Sequence, residues 1–388
     1  MQKATRFIAV AMAAALGLSA FAGCQGTGTE GTGDASVLKI GGIGPTTGSN
    51  AMYGQGVKNA AELAVDEINA NGGVNGMKLE LRYEDDEHNA EKAINAYNTL
   101  KDWGMQVLMG TVTSTPCVAV KDKTYEDNMF QLTPSGTSVD CVKYDNAFRV
   151  CFSDPNQGTA SAKYIGENHL AQKIAVIYDS SDVYSTGIYQ NFAAEAKNQD
   201  LEIVAAEAFT SDSKSDFSVQ VQKAQSAGAD MIFLPIYYTE ASLILTQAKK
   251  VGYDVNFFGC DGLDGLLQVN NFDTSIAEGV MLLTPFAADA EDEKTQNFVK
   301  AYTERFNVAP NQFAADSYDA IYAIAMAAEK SGITGDMTIS EICEGLKGAM
   351  TQITLEGLTG TITWEAGGEP SKEPKAVKIV NGGYTAMQ

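Results

Sequence analysis

The chain has 388 residues, of which 45% are apolar and 20% are charged, and its 49 acidic side chains outnumber 27 basic ones to give a formal net charge of −22. This length predicts two or three domains with substantial cores. A chain this acidic repels phosphate backbones, which argues against nucleic-acid binding. The apolar share and the normal aromatic share argue against a disordered or fibrous protein.

The first residues have the pattern of a bacterial export signal. Lys3 and Arg6 precede an apolar run over 7–22, which is shorter than the roughly 20 residues that span a bilayer. The run ends in Phe-Ala-Gly-Cys, which resembles the lipobox of bacterial lipoproteins. We therefore expect residues 1–23 to be a lipoprotein signal peptide and Cys24 to be acylated; an ordinary secretory signal is the alternative.

Residues 24–36 contain almost no apolar side chains and are expected to form a flexible tether. Together with the lipid on Cys24, this tether predicts an extracytoplasmic protein anchored to the bacterial cell membrane, at the cell surface or in the periplasm.

Five further cysteines lie in a compartment where disulfides persist. We expect a disulfide between Cys141 and Cys151, because the stretch between them contains a turn and would return the chain on itself. Cys117 is an alternative partner, and free buried thiols are the other alternative. With two histidines and no Cys-x-x-Cys pair, the sequence predicts no metal site.

Apolar β-type runs alternate with helical patterns along the chain, which predicts βαβ units and parallel sheets. The first set has strands at 37–40, 79–83 and 107–109, a helix carrying the apolar positions from 57 to 68, and a helix at 90–103. The second set has strands at 173–178, 203–204, 231–234, 257–259 and within 279–285, and helices at 158–168, 187–199, 217–227, 241–251, 293–306 and 314–330. The chain is expected to close with a hairpin of 360–364 and 376–380, its turn at Gly367 and Gly368.

The sequence does not predict an enzyme. The loop at 42–48 follows a strand, but Thr47 occupies the third glycine position of the dinucleotide motif G-x-G-x-x-G and Pro45 interrupts it. A catalytic triad would need His88 or His169, both of which lie in charged or amide-rich surroundings.

Two hydroxyl-rich loops at the ends of strands indicate an anion site instead. One loop, 110–116, brings Ser114 and Thr115 to the start of a helix, and the second spans 132–137. Backbone N–H groups at a helix start favour an anion, although simple N-capping is the alternative explanation. Side by side, the two loops would clamp one carboxylate.

Over residues 37–384 the order of motifs resembles the leucine/isoleucine/valine-binding proteins of branched-chain amino-acid ABC importers. The matching segments include KIGGIGPTTG, DEINANGGVNG, MGTVTSTP, QLTPSGTS, FSDPNQG and FFGCDGL. The resemblance implies an α/β fold of two doubly wound parallel-sheet lobes joined by a hinge, the type I periplasmic-binding-protein fold. Lobe 1 is expected to contain residues 37–154 and 284–358, and lobe 2 residues 155–283 and 359–388.

The resemblance also implies residues that hold a zwitterion. Ser114 aligns with a carboxylate-binding serine, and Ser135 and Thr137 align with a loop that supplies a hydroxyl for the carboxylate and a backbone carbonyl for the ammonium. Asp261 aligns with the family's acidic residue for the ammonium and is one methylene shorter than its frequent Glu.

Aromatic positions carry over in the same way. Tyr237 aligns with a cleft tyrosine of the second lobe, and Tyr184 and Tyr53 align with aromatic residues of the side-chain pocket. His88 and Thr113 occupy the two positions of a disulfide that some relatives have, so that disulfide has no equivalent here.

These observations predict a monomeric substrate-binding lipoprotein of an ABC importer, with no cofactor and no metal. It would capture an amino acid, with Leu, Ile or Val foremost, and deliver it to the membrane subunits of an ABC permease. A ligand-binding sensor component for amino acids or amides is the alternative among binding proteins, and a nucleotide-dependent α/β enzyme is the alternative from another class.

Overall fold

The computed structural model describes residues 34–387. The predicted signal peptide, Cys24 and the tether up to residue 33 lie outside these residues, so those expectations stay predictions. None of the helices within 34–387 has the length and apolar character that crossing a bilayer requires.

The first sheet contains five parallel strands. They are β1 Val37–Gly44, β2 Lys78–Asp85, β3 Val107–Gly110, β4 Phe130–Thr133 and β5 Ala147–Arg149. Their order across the sheet is β2-β1-β3-β4-β5. Strands β3 and β4 are buried along their whole length, which is typical of parallel strands covered by helices on both faces.

Three helices connect the strands of this sheet, and three later helices return to pack beside them. The connecting helices are α1 Ala51–Ala70, α2 Ala90–Trp103 and α3 Ser114–Glu126. The returning helices are α8 Glu293–Phe306, α9 Gln312–Ser331 and α10 Ile339–Met350. Helices α8 and α9 pack on α1, and α10 packs on β3 and β4, so distant parts of the chain share one core.

The second sheet contains seven strands. They are β6 Lys173–Asp179, β7 Glu202–Phe209, β8 Met231–Leu234, β9 Asn256–Gly259, β10 Met281–Thr284, β13 Lys375–Val380 and β14 Gly383–Ala386. Their order is β14-β13-β10-β9-β8-β6-β7, with β13 and β14 antiparallel to their neighbours. The helices here are α4 Asp154–Glu167, α5 Val183–Ala196, α6 Ser218–Ser226 and α7 Tyr238–Lys250.

The predicted hairpin of 360–364 and 376–380 is wrong. Two short strands, β11 Leu355–Glu356 and β12 Thr361–Ile362, pair with each other in a separate sheet. Beyond β12, the Trp364 side chain donates to the carbonyl of Arg149 at the end of β5, while β13 adds to β10 in the second sheet. Each half of the expected hairpin therefore pairs with a different sheet.

Candidate functional site

Two loops meet at the carboxyl ends of β3 and β4, and Ser114 joins them. Ser114 is the first residue of α3, and its Oγ accepts the backbone N–H groups of Thr137 at 3.2 Å and Ser138 at 3.1 Å. The Oγ atoms of Ser114 and Thr137 are 3.3 Å apart. The cap residue Thr113 makes no side-chain bond to the first turn of α3. Hydroxyls and helix N–H groups are therefore concentrated at one point, which favours an anion.

Arg149 supports the second loop from behind, a role that sequence reasoning missed. Its guanidinium group is fully buried and donates to the carbonyl oxygens of Gly136 at 3.0 Å, Thr137 at 2.5 Å and Ser138 at 3.0 Å. A fourth bond, of 3.1 Å, reaches Glu369. Because three successive carbonyls point toward Arg149, this bonding fixes the loop conformation and places a positive charge behind the paired hydroxyls.

Ser135, for which the resemblance implied a role in ligand binding, is hydrogen-bonded to the first loop. Its hydroxyl donates to the backbone carbonyl of Val112 at 2.6 Å, which ties the second loop to the first. The Ser135 side chain therefore holds the two loops in register.

A buried carboxylate faces these loops from the second sheet. Asp261 begins a short 3-10 helix, Asp261–Leu263, after β9, and its side chain accepts a 2.7 Å hydrogen bond from the hydroxyl of Tyr184. Burial raises the pKa of Asp261 to about 7, and the bond from Tyr184 acts in the opposite direction. A cation placed beside Asp261 would restore its ionised form.

Aromatic rings fill the space between the two sheets. Tyr237 stacks on Tyr184 with ring centroids 4.8 Å apart, and Tyr53 contacts Tyr237 at 5.7 Å and Phe313 at 4.2 Å. The Tyr53 hydroxyl donates to the carbonyl of Gly262 at 2.5 Å. Because Tyr53 lies on α1 and Gly262 follows β9, this bond joins the two halves of the molecule.

Six of the seven predicted ligand-binding residues line one small cavity, namely Tyr53, Ser114, Ser135, Tyr184, Tyr237 and Asp261. The seventh, Thr137, lies outside the lining but within reach of Ser114. Val112, Thr113, Gly262 and Phe313 complete the wall and were not predicted. The volume open to the centre of a water molecule is about 10 Å³, enough for about one water.

Gly262 is needed for close packing in this wall. A Cβ atom at this position would lie 2.6 Å from the hydroxyl oxygen of Tyr184 and 2.7 Å from the carbonyl oxygen of Ile236. Gly262 is part of the FFGCDGL motif, but the contacts that require a glycine at this position are seen only in the structure.

His88 and Thr113, at the positions of the relatives' disulfide, contact each other through a different bond. The Nδ1 atom of His88 lies 2.8 Å from Thr113 Oγ1. A hydrogen bond thus links the start of α2 to the first hydroxyl loop.

The predicted disulfide between Cys141 and Cys151 is not formed, and both are buried free thiols. Cys141 lies in the 3-10 helix Val139–Val142, where its Sγ is near the carbonyl of Ser114 and interacts with the thiol of Cys117. Cys151 follows β5. Burial and the nearby charge of Asp316 raise the pKa of its thiol, and the charge of Arg149 acts in the opposite direction. The two thiols therefore face different surroundings. Within residues 34–387 no group of three or more His, Cys, Asp or Glu side chains could hold a metal ion.

Comparisons with known proteins extend over nearly the whole described chain. A family model described as periplasmic binding protein matches residues 37–383. The leucine-, isoleucine-, valine-, threonine- and alanine-binding protein of Pseudomonas aeruginosa is 27% identical over 337 residues, covering 86% of this chain and 87% of that protein. Leu/Ile/Val-binding protein homolog 3 of Brucella melitensis is 29% identical over 337 residues, covering 86% and 89%.

Solved structures agree with these matches. The branched-chain amino acid transporter substrate-binding protein of Streptococcus pneumoniae, in complex with isoleucine, has a TM-score of 0.82 at 29% identity, covering 90% of this chain and 98% of that one. A leucine-binding protein of Thermotoga maritima has a TM-score of 0.81 at 25% identity, again covering 90% and 98%. The fold class and the family that the sequence resembles are thereby confirmed. The chain is similar to leucine-, isoleucine- and valine-binding proteins and to a branched-chain amino acid transporter substrate-binding protein. It belongs to the periplasmic binding protein family, whose members are extracytoplasmic solute-binding proteins and not enzymes.

Proposed function

We propose that this protein is a lipid-anchored receptor that captures one amino acid between two lobes and delivers it to the membrane subunits of an ABC importer. Leu, Ile and Val are the first candidates, because the Streptococcus pneumoniae relative is in complex with isoleucine and the Brucella melitensis relative is named for these three. The proposal includes acylation of Cys24, a monomeric state, and lobe 1 as residues 37–154 and 284–358.

One observation carries the proposal: complementary groups for a zwitterion face the same cavity from opposite sheets. Ser114, beside Thr137, and the N–H groups of α3 suit a carboxylate, while Asp261 suits an ammonium. Charge-assisted hydrogen bonds of this kind contribute on the order of 1.5–3 kcal/mol each. Neither side alone provides both partners, so an amino acid is bound best when the lobes are together.

Closure is therefore the proposed mechanism. The ligand would bind one lobe first and draw in the other, because only the closed arrangement satisfies both of its charges. The permease would then recognise the closed shape. Hydrogen bonds such as that between Thr115 Oγ1 and Asp182 Oδ1, at 2.8 Å, join α3 to the start of α5 and would add to the closed state.

Isothermal titration of the purified protein with a panel of L-amino acids, NAD and ATP tests the proposal. We expect binding of at least one branched-chain amino acid and none of the nucleotides. Ser114→Ala should weaken that binding by about tenfold. Ser317→Ala is the matched control, because Ser317 is also buried and donates to a backbone carbonyl, that of Val57, away from the cavity. Equal losses in both variants, or binding of nucleotides alone, would contradict the proposal.

Lipidation and delivery need separate measurements. Cells that express the chain should incorporate labelled fatty acid into it, and Cys24→Ala should abolish the labelling. Uptake of the bound amino acid should fall when the gene that encodes the chain is deleted from its host.

A further inference from the structure

Two cysteine thiols lie next to the loops that carry the paired hydroxyls. Cys117 is one turn after Ser114 on α3, and Cys141 lies in the 3-10 helix Val139–Val142. The Cys141 Sγ is 4.0 Å from the carbonyl oxygen of Ser114, and the thiols of Cys117 and Cys141 hydrogen-bond to each other. Both are buried and free, and the proposed function does not use them.

Gly136, in the second hydroxyl loop, makes room for this pair of thiols. A Cβ atom on Gly136 would lie 3.1 Å from the Sγ of Cys141 and 3.2 Å from the Sγ of Cys117. The two sulfur atoms therefore border the same point of the loop. Because they already contact each other, only a small movement separates them from the roughly 2 Å distance of a disulfide bond.

The sulfur of Cys117 is surrounded by groups that favour a thiolate. The Nε2 atom of the buried Gln131 side chain donates to Cys117 Sγ at 3.2 Å. The Oε1 atom of the same amide accepts the hydroxyl of Thr124 at 2.9 Å, which keeps the amide NH₂ group directed at the sulfur. The buried guanidinium group of Arg149 adds a positive charge that also favours the thiolate.

These contacts distinguish Cys117 from the other cysteines. The hydrogen bond from the Cys141 thiol and the charge of Arg149 lower the pKa of Cys117, although burial acts in the opposite direction. Burial raises the pKa of the other four cysteines within residues 34–387, namely Cys141, Cys151, Cys260 and Cys343. The thiolate is the form of cysteine that reacts with oxidants. Cys117 should therefore react first, and Cys141 is in position to react with the product.

Burial limits the oxidant to a small molecule. Neither thiol is exposed, and the small cavity, which Ser114 lines, has room for about one water molecule. A disulfide reagent such as oxidised glutathione is far larger, whereas hydrogen peroxide is only slightly larger than water. The family is extracytoplasmic, and thiols outside the cytoplasm are exposed to oxidising conditions.

We propose that Cys117 and Cys141 are a peroxide-reactive pair that forms a reversible disulfide. The Cys117 sulfur attacks one oxygen of hydrogen peroxide and becomes a sulfenic acid, and the other oxygen leaves as water with the thiol proton. The Cys141 thiol then attacks the sulfenic sulfur, the S–S bond forms, and the sulfenic hydroxyl leaves as a second water. In total, two thiols are oxidised to a disulfide and one peroxide is reduced to two water molecules.

The disulfide would join α3 to the segment that follows the second hydroxyl loop. It closes a covalent loop that contains β4, Ser135 and Thr137, and it crosses between the residues whose backbone and side chains meet at Ser114. A cross-link of this kind restricts the unfolded chain. The oxidised protein should therefore melt at a higher temperature, by about 5 °C, than the reduced protein.

Peroxide treatment of the purified, fully reduced protein tests the pair. The full chain is used with Cys24→Ser, which removes the sulfur that the proposed lipid occupies. Remaining thiols are blocked with N-ethylmaleimide in denaturant, and unreduced peptides are identified by mass spectrometry. We expect one linked peptide pair, Cys117 with Cys141, and a rise in melting temperature that dithiothreitol reverses.

Two variants test the order of the steps. Cys141→Ser should stop the reaction at a sulfenic acid on Cys117, which dimedone labels, whereas Cys117→Ser should leave Cys141 unlabelled. Cys343→Ser is the matched control, because Cys343 is also buried but lies on α10, and it should form the same disulfide as the unmodified protein.

Three results would overturn the inference. The first is a disulfide that joins either cysteine to a different partner. The second is a pair that stays reduced at a peroxide dose that fully oxidises free L-cysteine in the same solution. The third is dimedone labelling of Cys141 in Cys117→Ser. None of these results depends on which solute the protein binds, so the proposed function is tested separately.

Discussion

Asp261 should make ligand binding depend on pH. The residue is 4% exposed, and burial raises the pKa of its carboxyl group from 3.8 to about 7. A difference of about three pKa units corresponds to roughly 4 kcal/mol for keeping the carboxylate ionised in this cavity. Because the pKa is raised, this free-energy cost of ionising Asp261 is absent below about pH 4, grows as the pH rises toward 7 and is constant above pH 7.

An ammonium group beside Asp261 offsets the penalty, because it favours the ionised carboxylate. Below pH 7 the ligand must displace a proton from Asp261, so its affinity should fall by up to tenfold per pH unit. Between pH 7 and pH 5 the expected loss is about 50-fold. Isothermal titration with L-leucine at pH 5, 6 and 7 and constant ionic strength measures it.

Asp261→Asn is the control for this prediction. The variant should bind L-leucine weakly at every pH. Any dependence of affinity on pH that remains should come from Asp264 and Asp316, whose pKa values burial raises to about 6. An affinity that stays constant from pH 7 to pH 5, or an equal slope in Asp261→Asn, would refute the reasoning.

Two further predictions concern residues that hold the site in place. Arg149→Met should lower the free energy of unfolding by about 3 kcal/mol, because three loop carbonyls lose a buried donor. Urea denaturation measures this change. Arg305→Met, which breaks an exposed ion pair, is the control and should change the free energy of unfolding by less than about 1 kcal/mol. Tyr53→Phe removes a bond between the lobes and should weaken amino-acid binding by about fivefold with little change in melting temperature. Tyr144→Phe, which removes a surface hydrogen bond, should leave binding unchanged. Equal losses of stability in Arg149→Met and Arg305→Met would contradict the first prediction, and equal losses of affinity in Tyr53→Phe and Tyr144→Phe would contradict the second.

Elements with a strong local pattern could be predicted from the sequence. The predicted strand at 231–234 coincides with β8, since four consecutive apolar residues are all buried in the sheet. The predicted helix at 293–306 coincides with α8, which Asp292 caps. Helix α4 begins at Asp154, four residues before the predicted start, because Ser153 caps it and a proline occupies its first turn.

Long-range pairing could not be predicted in the same way. The strand pattern at 376–380 is correct, but nothing local specifies that β13 joins β10 instead of the preceding segment. Helix α10 was not predicted at all, although its start has a capping box of Thr338 and Glu341. Its place is set by packing on β3 and β4.

The candidate site likewise contains residues that the sequence could predict and residues whose roles depend on long-range packing. Ser114 and Thr137 were predictable as a pair because both follow strands whose carboxyl ends share one edge of a sheet. The role of Arg149 was not, since its carbonyl partners are 11 to 13 residues away and its carboxylate partner is 220 residues away. Phe313 likewise comes from α9, whose contact with Tyr53 depends on the packing of α9 against α1.

The internal bonds of the small cavity determine how a ligand can enter it on the proposed function. The cavity has room for about one water molecule, far less than an amino acid needs, so the stacked rings of Tyr184 and Tyr237 must separate from Ser114 before a ligand fits. The Tyr184 hydroxyl that holds Asp261 is then exchanged for the ligand's ammonium. At Asp261, the ligand gains only the difference between these two contacts, in addition to its bonds near Ser114. Because the ammonium carries a full positive charge and the Tyr184 hydroxyl is neutral, the exchange favours a cation at the ionised Asp261 and discriminates against solutes that lack an amino group.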